Sequence, residues 1–368
     1  MAKRIAIVSG DFYEQCVGGA EYQAYLLAKE LLQQGHEVHQ IFISNGKSFT
    51  PQTRVILHPL TKRHWLRRLG GATVGHCLAV QTALGAIHPD IIYQRGAYAL
   101  TNYCASFVRK QGGRFIWHAA SDMDFATDRT GRPAFLRPLR RRERTLARRG
   151  ITMADEIICQ THSQAEALRQ QFDRSCRAVI PNGHPLPAGP FPKPTDSKHV
   201  VWIGNWKAVK QPEIFIALAE RLGAEAGVQC SMIGRTGTGS VYEDLCRKAQ
   251  GRHNLTVWGE LPQDRVASIL AGAHLLVNTS QLEGFPNTFI EAWMREVPVL
   301  TLCVDPDGLL AQEDIGVCAG HFDNLVAHVK RLLRDEAERS KCGQRARAYA
   351  ARRHSLEGMS RAMAEVFA

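Results

Sequence analysis

The stretch Glu283-Gly284-Phe285-Pro286-Asn287-Thr288-Phe289-Ile290-Glu291 decides how this 368-residue chain is read. It follows Leu275-Leu276-Val277, a short apolar run of the kind that forms a buried strand. Asn278 to Leu282 lead away from that strand. Pro286 suits the first turn of a helix, where its missing amide would be unpaired anyway, and Asn287 to Met294 are predicted to be helical. Glu283 is thus expected in a loop at a strand end, and Glu291 a turn or more into the helix. A helix start offers unpaired N–H groups and partial positive charge, which suits a diphosphate. A carboxylate accepts two hydrogen bonds side by side, which suits a pair of adjacent sugar hydroxyls. On spacing alone, two solvated glutamates on an ordinary helix would be the better account. The rest of the chain argues for the first.

Outward from this stretch the pattern is strand and helix in alternation. Ile5 to Val8 reads as a strand, Ala20 to Gln34 as a helix stopped by Gly35, and Val38 to Ile43 as the next strand. Further strands are expected at Ile91-Ile92-Tyr93, Phe115-Ile116-Trp117, Glu156 to Cys159 and Ala178 to Ile180, with a helix from Ser163 to Phe172. Six prolines (Pro181, Pro185, Pro187, Pro190, Pro192 and Pro194) then crowd together, which predicts a linker. Strands resume at His199 to Gly204, Val228 to Ile233, Leu255 to Trp258, Leu275 to Val277 and Val299 to Leu302, and Glu338 to Phe367 reads as helix. The length favours two domains. The expected class is α/β, with two Rossmann-like lobes facing each other across a cleft: a first domain at 1–185, a linker at 186–195, a second domain at 196–350 and a final helix at 351–368. Ligands of open α/β sheets bind beyond the carboxyl ends of the strands, so the loops there carry the candidate residues.

Four such loops matter besides the opening one. Trp202-Ile203-Gly204-Asn205-Trp206-Lys207-Ala208-Val209-Lys210 leaves a strand and brings two lysines. Gly18-Gly19-Ala20-Glu21 lets the backbone come close to a ligand at a helix start. His118 ends the strand at Phe115, with Ser121, Asp122 and Asp124 after it. Pro181-Asn182-Gly183 reads as a hinge, because Asn and Gly tolerate left-handed backbone angles.

In this order the motifs resemble family 4 glycosyltransferases, whose Glu-x7-Glu donor site takes the form Glu-Gly-Phe-Pro-Asn. The resemblance spans about residues 1 to 310 and implies a GT-B fold, with an acceptor-binding domain at 1–185, a nucleotide-sugar-binding domain at 196–350 and the final helix at 351–368 packing back on the N-terminal lobe. It implies that Glu283 contacts donor-sugar hydroxyls, that Glu291 holds the ribose diol, and that backbone amides around Phe285, Asn287 and Thr288 face sugar and phosphate. Lys210 falls where the family neutralises the diphosphate, and Gly19 where it faces the donor phosphate and transferred sugar. His118 falls where it contacts the sugar, and with Glu283 forms the candidate catalytic pair. Asn205 stands where the family carries Arg, a departure that Lys207 or Arg235 would compensate. The implied activity is retaining, metal-independent transfer of a hexose from a nucleotide diphosphate sugar, with UDP or GDP expected, to a hydroxyl of a glycan or lipid-linked acceptor in cell-surface polysaccharide or lipopolysaccharide synthesis. No cofactor is expected. Asp122-Met123-Asp124 and Asp305-Pro306-Asp307 have metal-type spacing but neither is read as a metal site.

Charge points to the acceptor side. The net charge is +11, and residues 1–185 hold 25 Lys and Arg against 14 Asp and Glu, so the whole excess lies in the first half. Arg137, Arg140, Arg141, Arg142, Arg144, Arg148 and Arg149 alternate with leucines, and Lys62-Arg63-His64-Trp65-Leu66-Arg67-Arg68-Leu69 mixes basic and apolar residues. Such mixtures suit an anionic membrane surface; a solvated basic face is the plain alternative. Arg140, Arg141, Arg144 and Arg148 are taken as candidate acceptor or membrane contacts. No nucleic-acid module accompanies them, so nucleic acid is not expected as a partner. No apolar run nears the ~20 residues of a membrane span, and the N-terminus reads as a strand and not as a signal peptide. The ten cysteines contain no Cys-x-x-Cys pair, which fits a reducing compartment. The expected location is cytoplasmic, at the inner face of the membrane. A dehydrogenase would need Gly-x-Gly-x-x-Gly after the first strand, which Gly10 and Gly18-Gly19 do not supply. A nucleotide-sugar epimerase on the same fold, or a non-enzymatic nucleotide or sugar binder, are the remaining alternatives.

Overall fold

The computed structural model describes residues 1–15, 18–44, 46, 50–60, 72–125 and 137–368, with 72–76 and 137–140 described by backbone alone. The chain divides into two compact units, Met1–Gly183 with Leu356–Ala368, and His184–Ser355.

In the first unit strands and helices alternate: β1 (Arg4–Val8), α1 (Gly19–Gln33), β2 (Glu37–Ile43), β3 (Ile56–Leu60), α2 (Ala72–Ile87), β4 (Ile91–Arg95), α3 (Ala99–Gln111), β5 (Arg114–His118), α4 (Arg137–Thr152), β6 (Glu156–Cys159), α5 (His162–Phe172) and β7 (Ala178–Val179). The strands form one parallel sheet in the order β3-β2-β1-β4-β5-β6-β7. Because side chains alternate along a strand, Ile5, Ile7, Tyr93, Ile116 and Ile158 line one face and pack under Ala24, Leu27 and Leu31 of α1. Ala6, Val8, Ile92, Trp117 and Ile157 line the other face and meet α2 to α5. Burial on both faces is why these strands read as continuous apolar runs. The strand order switches at β1 and β4, and their carboxyl ends are where such a sheet presents ligand-binding loops.

The second unit repeats the plan: β8 (Lys198–Ile203), α6 (Pro212–Leu222), β9 (Val228–Ile233), α7 (Ser240–Gln250), β10 (Leu255–Gly259), α8 (Gln263–Gly272), β11 (Leu275–Asn278), α9 (Asn287–Trp293), β12 (Val299–Thr301), α10 (Leu309–Gln312), β13 (Gly316–Cys318), α11 (Phe322–Arg334) and α12 (Glu336–Arg353). Its sheet is parallel, ordered β10-β9-β8-β11-β12-β13. Here too the strand order switches, between β8 and β11.

The tail expected as one helix is two. α12 stops at Arg353, and α13 (Leu356–Phe367) belongs to the first unit. His354 breaks the run: its backbone leaves helical geometry at φ −126°, ψ 16°. Its carbonyl accepts from His184 N at 2.8 Å, and its ring lies 4.5 Å from that of Phe285. α13 buries Met359, Met363, Val366 and Phe367 in the first unit's core. Gly183 lies against it, and a Cβ there would stand 2.6 Å from Met359 Cβ. Its φ is not positive. Close packing, and not a left-handed backbone, therefore requires glycine in the Pro-Asn-Gly turn.

Candidate active site

β8 and β11 are neighbours in the second sheet, so the loops leaving their carboxyl ends meet. The β8 loop closes in one 3-10 turn, Ala208–Lys210. Thr279, just past β11, fastens it: its hydroxyl lies 2.7 Å from the Lys210 carbonyl and accepts from Trp202 Nε1 at 2.9 Å. Gln281 N adds a bond to the Val209 carbonyl at 2.9 Å. The result is an ion pair between Lys210 Nζ and Glu283 Oε1. Ser280 Oγ donates to the same carboxylate oxygen at 2.7 Å. The expected sugar-binding carboxylate and the expected phosphate-binding cation thus touch each other.

The loop then enters α9, with Pro286 one residue earlier than expected, as the extended cap at φ −66°, ψ 122°. The first amides of α9, including that of Thr288, fall outside its intrahelical ladder. Phe285 does not offer its ring to a ligand; the ring is buried, 6.0 Å from that of Trp293. Its anchoring sets the path of the backbone before the helix. Asn287 Oδ1 bonds His184 Nε2 at 3.2 Å, and Gln263 Nε2 donates to Glu291 Oε1 at 2.9 Å. Only 14 % of the Glu291 side chain is exposed. Burial lifts its carboxyl to about 7, although the Gln263 bond and nearby Arg295 pull the other way. His184, 3.9 Å from Glu291, does not answer with a charge. Its own burial lowers it to about 4, against the bond to Asn287 and helped by Arg295.

Asn205 has a structural task. Its Oδ1 accepts from Arg235 N at 3.1 Å, while Trp206 N donates to the Arg235 carbonyl at 2.9 Å. The loops after β8 and β9 are thereby held together, with Gly234 between them at φ +134°. A Cβ on Gly234 would lie 2.1 Å from the Gly204 carbonyl oxygen. Lys207 and Arg235 are both exposed.

In the first unit, Gly19 opens α1 and is exposed, with Gly18 as the extended cap. His118 ends β5 but is buried, 2 % exposed. Its Nδ1 lies 2.7 Å from the Tyr93 hydroxyl and 3.4 Å from Arg95 Nη1. Burial first and then Arg95 hold its pKa well below the ordinary range, against the Ile180 carbonyl. It is a neutral ring in a polar pocket of its own unit. Asp122 and Asp124 serve local structure: Asp124 accepts from the amides of Ala97, Ala120 and Ser121, and Asp122 from Gln164. Asp305 likewise accepts from Leu310 N at 3.0 Å.

Two family profiles cover the chain. "Glycosyltransferase Family 4" matches residues 17–186, and "Glycosyl transferases group 1" matches residues 189–349. The chain belongs to the family 4 glycosyltransferases. Solved structures agree on the GT-B fold. A sucrose-phosphate synthase from Thermosynechococcus elongatus superposes with a TM-score of 0.80 at 16 % identity, covering 99 % of this chain and 98 % of its own. WaaG, a glycosyltransferase of lipopolysaccharide biosynthesis, gives 0.78 at 17 % identity, covering 98 % and 99 %. Anabaena Alr3699/HepE, solved in complex with UDP-glucose, gives 0.77 at 16 % identity, covering 99 % of each chain. No curated protein matches the sequence.

In this glycosyltransferase each unit's own candidate residues have neighbours that the sequence did not single out. Ser280 and Thr279 sit beside Glu283 and Lys210, and Gln263 and His184 beside Glu291. Arg95 and Tyr93 flank His118. β4 runs two residues beyond the apolar Ile91-Ile92-Tyr93 run, to Arg95, and a strand end is where a ligand residue is expected. The arginine cluster divides. Arg141 is exposed and Arg144 half-buried on α4, whereas Arg148 is engaged internally. It donates to the Gln171 carbonyl at 2.7 Å and lies 4.2 Å over the Phe172 ring. It packs α4 against α5 and is, like Arg144, half-buried. The Arg140 side chain and the segment Lys62 to Leu69 lie outside the described residues.

Proposed function

We propose that the protein transfers a hexose, with retention, from a UDP- or GDP-sugar to a hydroxyl of a glycan or lipid-linked acceptor, without a metal. The observation that carries this reading is the Lys210–Glu283–Ser280 cluster beside a helix that bears Glu291. Lys210 supplies positive charge for the diphosphate leaving group, supported by the opening amides of α9. Glu283 accepts hydrogen bonds from the sugar, and Glu291 from the ribose diol. The sugar C1–O bond to the diphosphate breaks, a bond to the acceptor oxygen forms on the same face, and the departing phosphate takes the acceptor proton. His118, neutral and with Nδ1 already engaged, acts as a hydrogen-bond donor through Nε2 and not as a base. Gly19 leaves room for the sugar and phosphate at the start of α1.

For the acceptor, the excess positive charge of residues 1–185 favours a lipid-linked substrate at an anionic membrane surface, approached by the exposed face of α4. The likeness to WaaG, a glycosyltransferase involved in lipopolysaccharide biosynthesis, supports a cell-surface glycan. Among the described residues no helix is long and apolar enough to cross a membrane, so the proposed contact is peripheral, at the cytoplasmic face. The test is a screen of UDP- and GDP-sugars by calorimetry and by release of free sugar. One nucleotide sugar should bind and be hydrolysed slowly without added metal. Binding that persists undiminished in Glu291→Ala and Lys210→Ala together would refute the assignment. Donor sugar returned with inverted ring stereochemistry would indicate an epimerase.

A further inference from the structure

At the carboxyl end of the first sheet, four neighbouring strands turn a polar side chain to the same face. β2 supplies Gln40, the position after β1 supplies Ser9, β4 supplies Arg95 and β5 supplies His118. The face is set by alternation: Val38, Ile7, Tyr93 and Ile116, two residues before each, share one apolar cluster. Gln40 Nε2 donates to Ser9 Oγ at 2.8 Å. Three buried atoms of this row have no hydrogen-bond partner among the described residues: Gln40 Oε1, Arg95 Nε and His118 Nε2.

Arg95 differs from the others in being charged. It is 8 % exposed, and its guanidinium meets Asn182 Oδ1, His118 Nδ1 and the Tyr93 hydroxyl. No carboxylate pairs with it among the described residues. Its titratable neighbours are neutral, since burial lowers His118 and raises Tyr93. Proteins pair a buried cation or give it an anionic ligand, because an unpaired one costs several kcal/mol. The guanidinium only donates, so His118 Nδ1 accepts and the ring proton sits on Nε2. That is a second donor beside the first.

We propose that Arg95, with neutral His118 beside it, anchors an anionic group, phosphate or carboxylate, carried by the acceptor. This rests on the reading that the chain transfers a sugar to an acceptor. The acceptor is favoured over the donor because Lys210 already serves the donor diphosphate in the second unit, while the whole charge excess lies in residues 1–185.

The test titrates inorganic phosphate into the full-length protein, alone and with saturating UDP, following both ligands by calorimetry. Phosphate should bind in both conditions. Arg95→Lys, which loses the planar fork but keeps the charge, should weaken phosphate about tenfold and leave UDP binding unchanged. Arg95→Gln should abolish phosphate binding. Lys210→Ala should show the reverse pattern. Circular dichroism checks folding, and the Lys variant decides if the Gln variant unfolds. Phosphate displaced by UDP would assign Arg95 to the donor and overturn the proposal. Phosphate affinity unmoved in the folded Arg95 variants would reduce Arg95 to a brace for Asn182, and no phosphate binding by the wild type would also overturn it. UDP failing to bind while phosphate still follows Arg95 would refute the donor reading and support the anion site.

Discussion

Replacing Glu291 with Gln should make the protein more stable at pH 8 and a poorer nucleotide binder. Burial lifts this carboxyl from 4.5 to about 7. At ~1.4 kcal/mol per pH unit of displacement, ionising it in the folded protein costs at most ~3 kcal/mol. Solvent reaches part of the side chain, so ~2 kcal/mol is the working figure. Between pH 4.5 and 7 the folded protein keeps a proton that the unfolded chain has released. Stability therefore falls as pH rises through that window and is level above it. Gln has nearly the same shape, stays neutral, and its amide oxygen can still accept from Gln263. The variant should melt about 4 to 8 °C higher than wild type at pH 8 and equally at pH 4. Nucleotide binding should move the other way, because a carboxylate accepts from both ribose hydroxyls while an amide has one acceptor oxygen. Ribose binding favours the ionised form, so wild-type affinity for UDP should climb as pH rises toward 7. The terminal phosphate of UDP also titrates near pH 6; the Gln variant keeps that contribution and serves as the baseline. Calorimetry from pH 5.5 to 8.5, with thermal melts alongside, reads both effects. Identical pH dependence of UDP affinity in the two proteins, or equal melting points at pH 8, would refute the reasoning.

Other perturbations probe separate links. Lys210→Ala should cut transfer from the donor by ~10² to 10³, with little change in fold, measured as turnover of the sugar found in the donor screen. Gly183→Ala pushes a methyl against Met359 and should cost ~1–3 kcal/mol, read as a lower urea midpoint. Arg141→Glu with Arg144→Glu should abolish flotation with anionic vesicles and leave UDP affinity unchanged; retained flotation would remove α4 from the membrane reading.

The two-sheet fold was legible because parallel strands buried on both faces leave short apolar runs between helical periods, as at Ile5 to Val8 and Val228 to Ile233. The loop from Glu283 into α9 was legible because Pro286 and the apolar run before it mark a strand end and a helix start. Tertiary contacts were not. Nothing local distinguishes Arg148, which lies over Phe172, from exposed Arg141 on the same helix. Likewise, the helix break at His354 arises from rings at Phe285 and Trp293, some 60 to 70 positions earlier in the chain. Arg95 was missed for a different reason. An apolar-run criterion ends β4 at Tyr93, whereas the ladder continues through Gln94 and Arg95, and functional strands often end in polar residues.

The Lys210–Glu283 pair bears on how the leaving group is neutralised. Before donor binds, the lysine charge is already matched by a carboxylate. On the proposed reading, a donor diphosphate brings at least two negative charges and draws Lys210 away, which frees Glu283 for the sugar. One lysine still leaves part of that charge unmatched, and Asn205 cannot supply the rest. Its carbonyl is occupied by the Arg235 amide, so the residue that stands in the arginine position holds another arginine in place. Lys207 is tied within its own loop, its carbonyl accepting from Lys210 N at 2.8 Å, whereas Arg235 is joined across two loops; on the proposed reading Arg235 is the second cation. Arg235→Ala should weaken UDP binding by about tenfold and Lys207→Ala by much less. Equal losses would show that neither position is selected and that the helix-start amides carry the remaining charge.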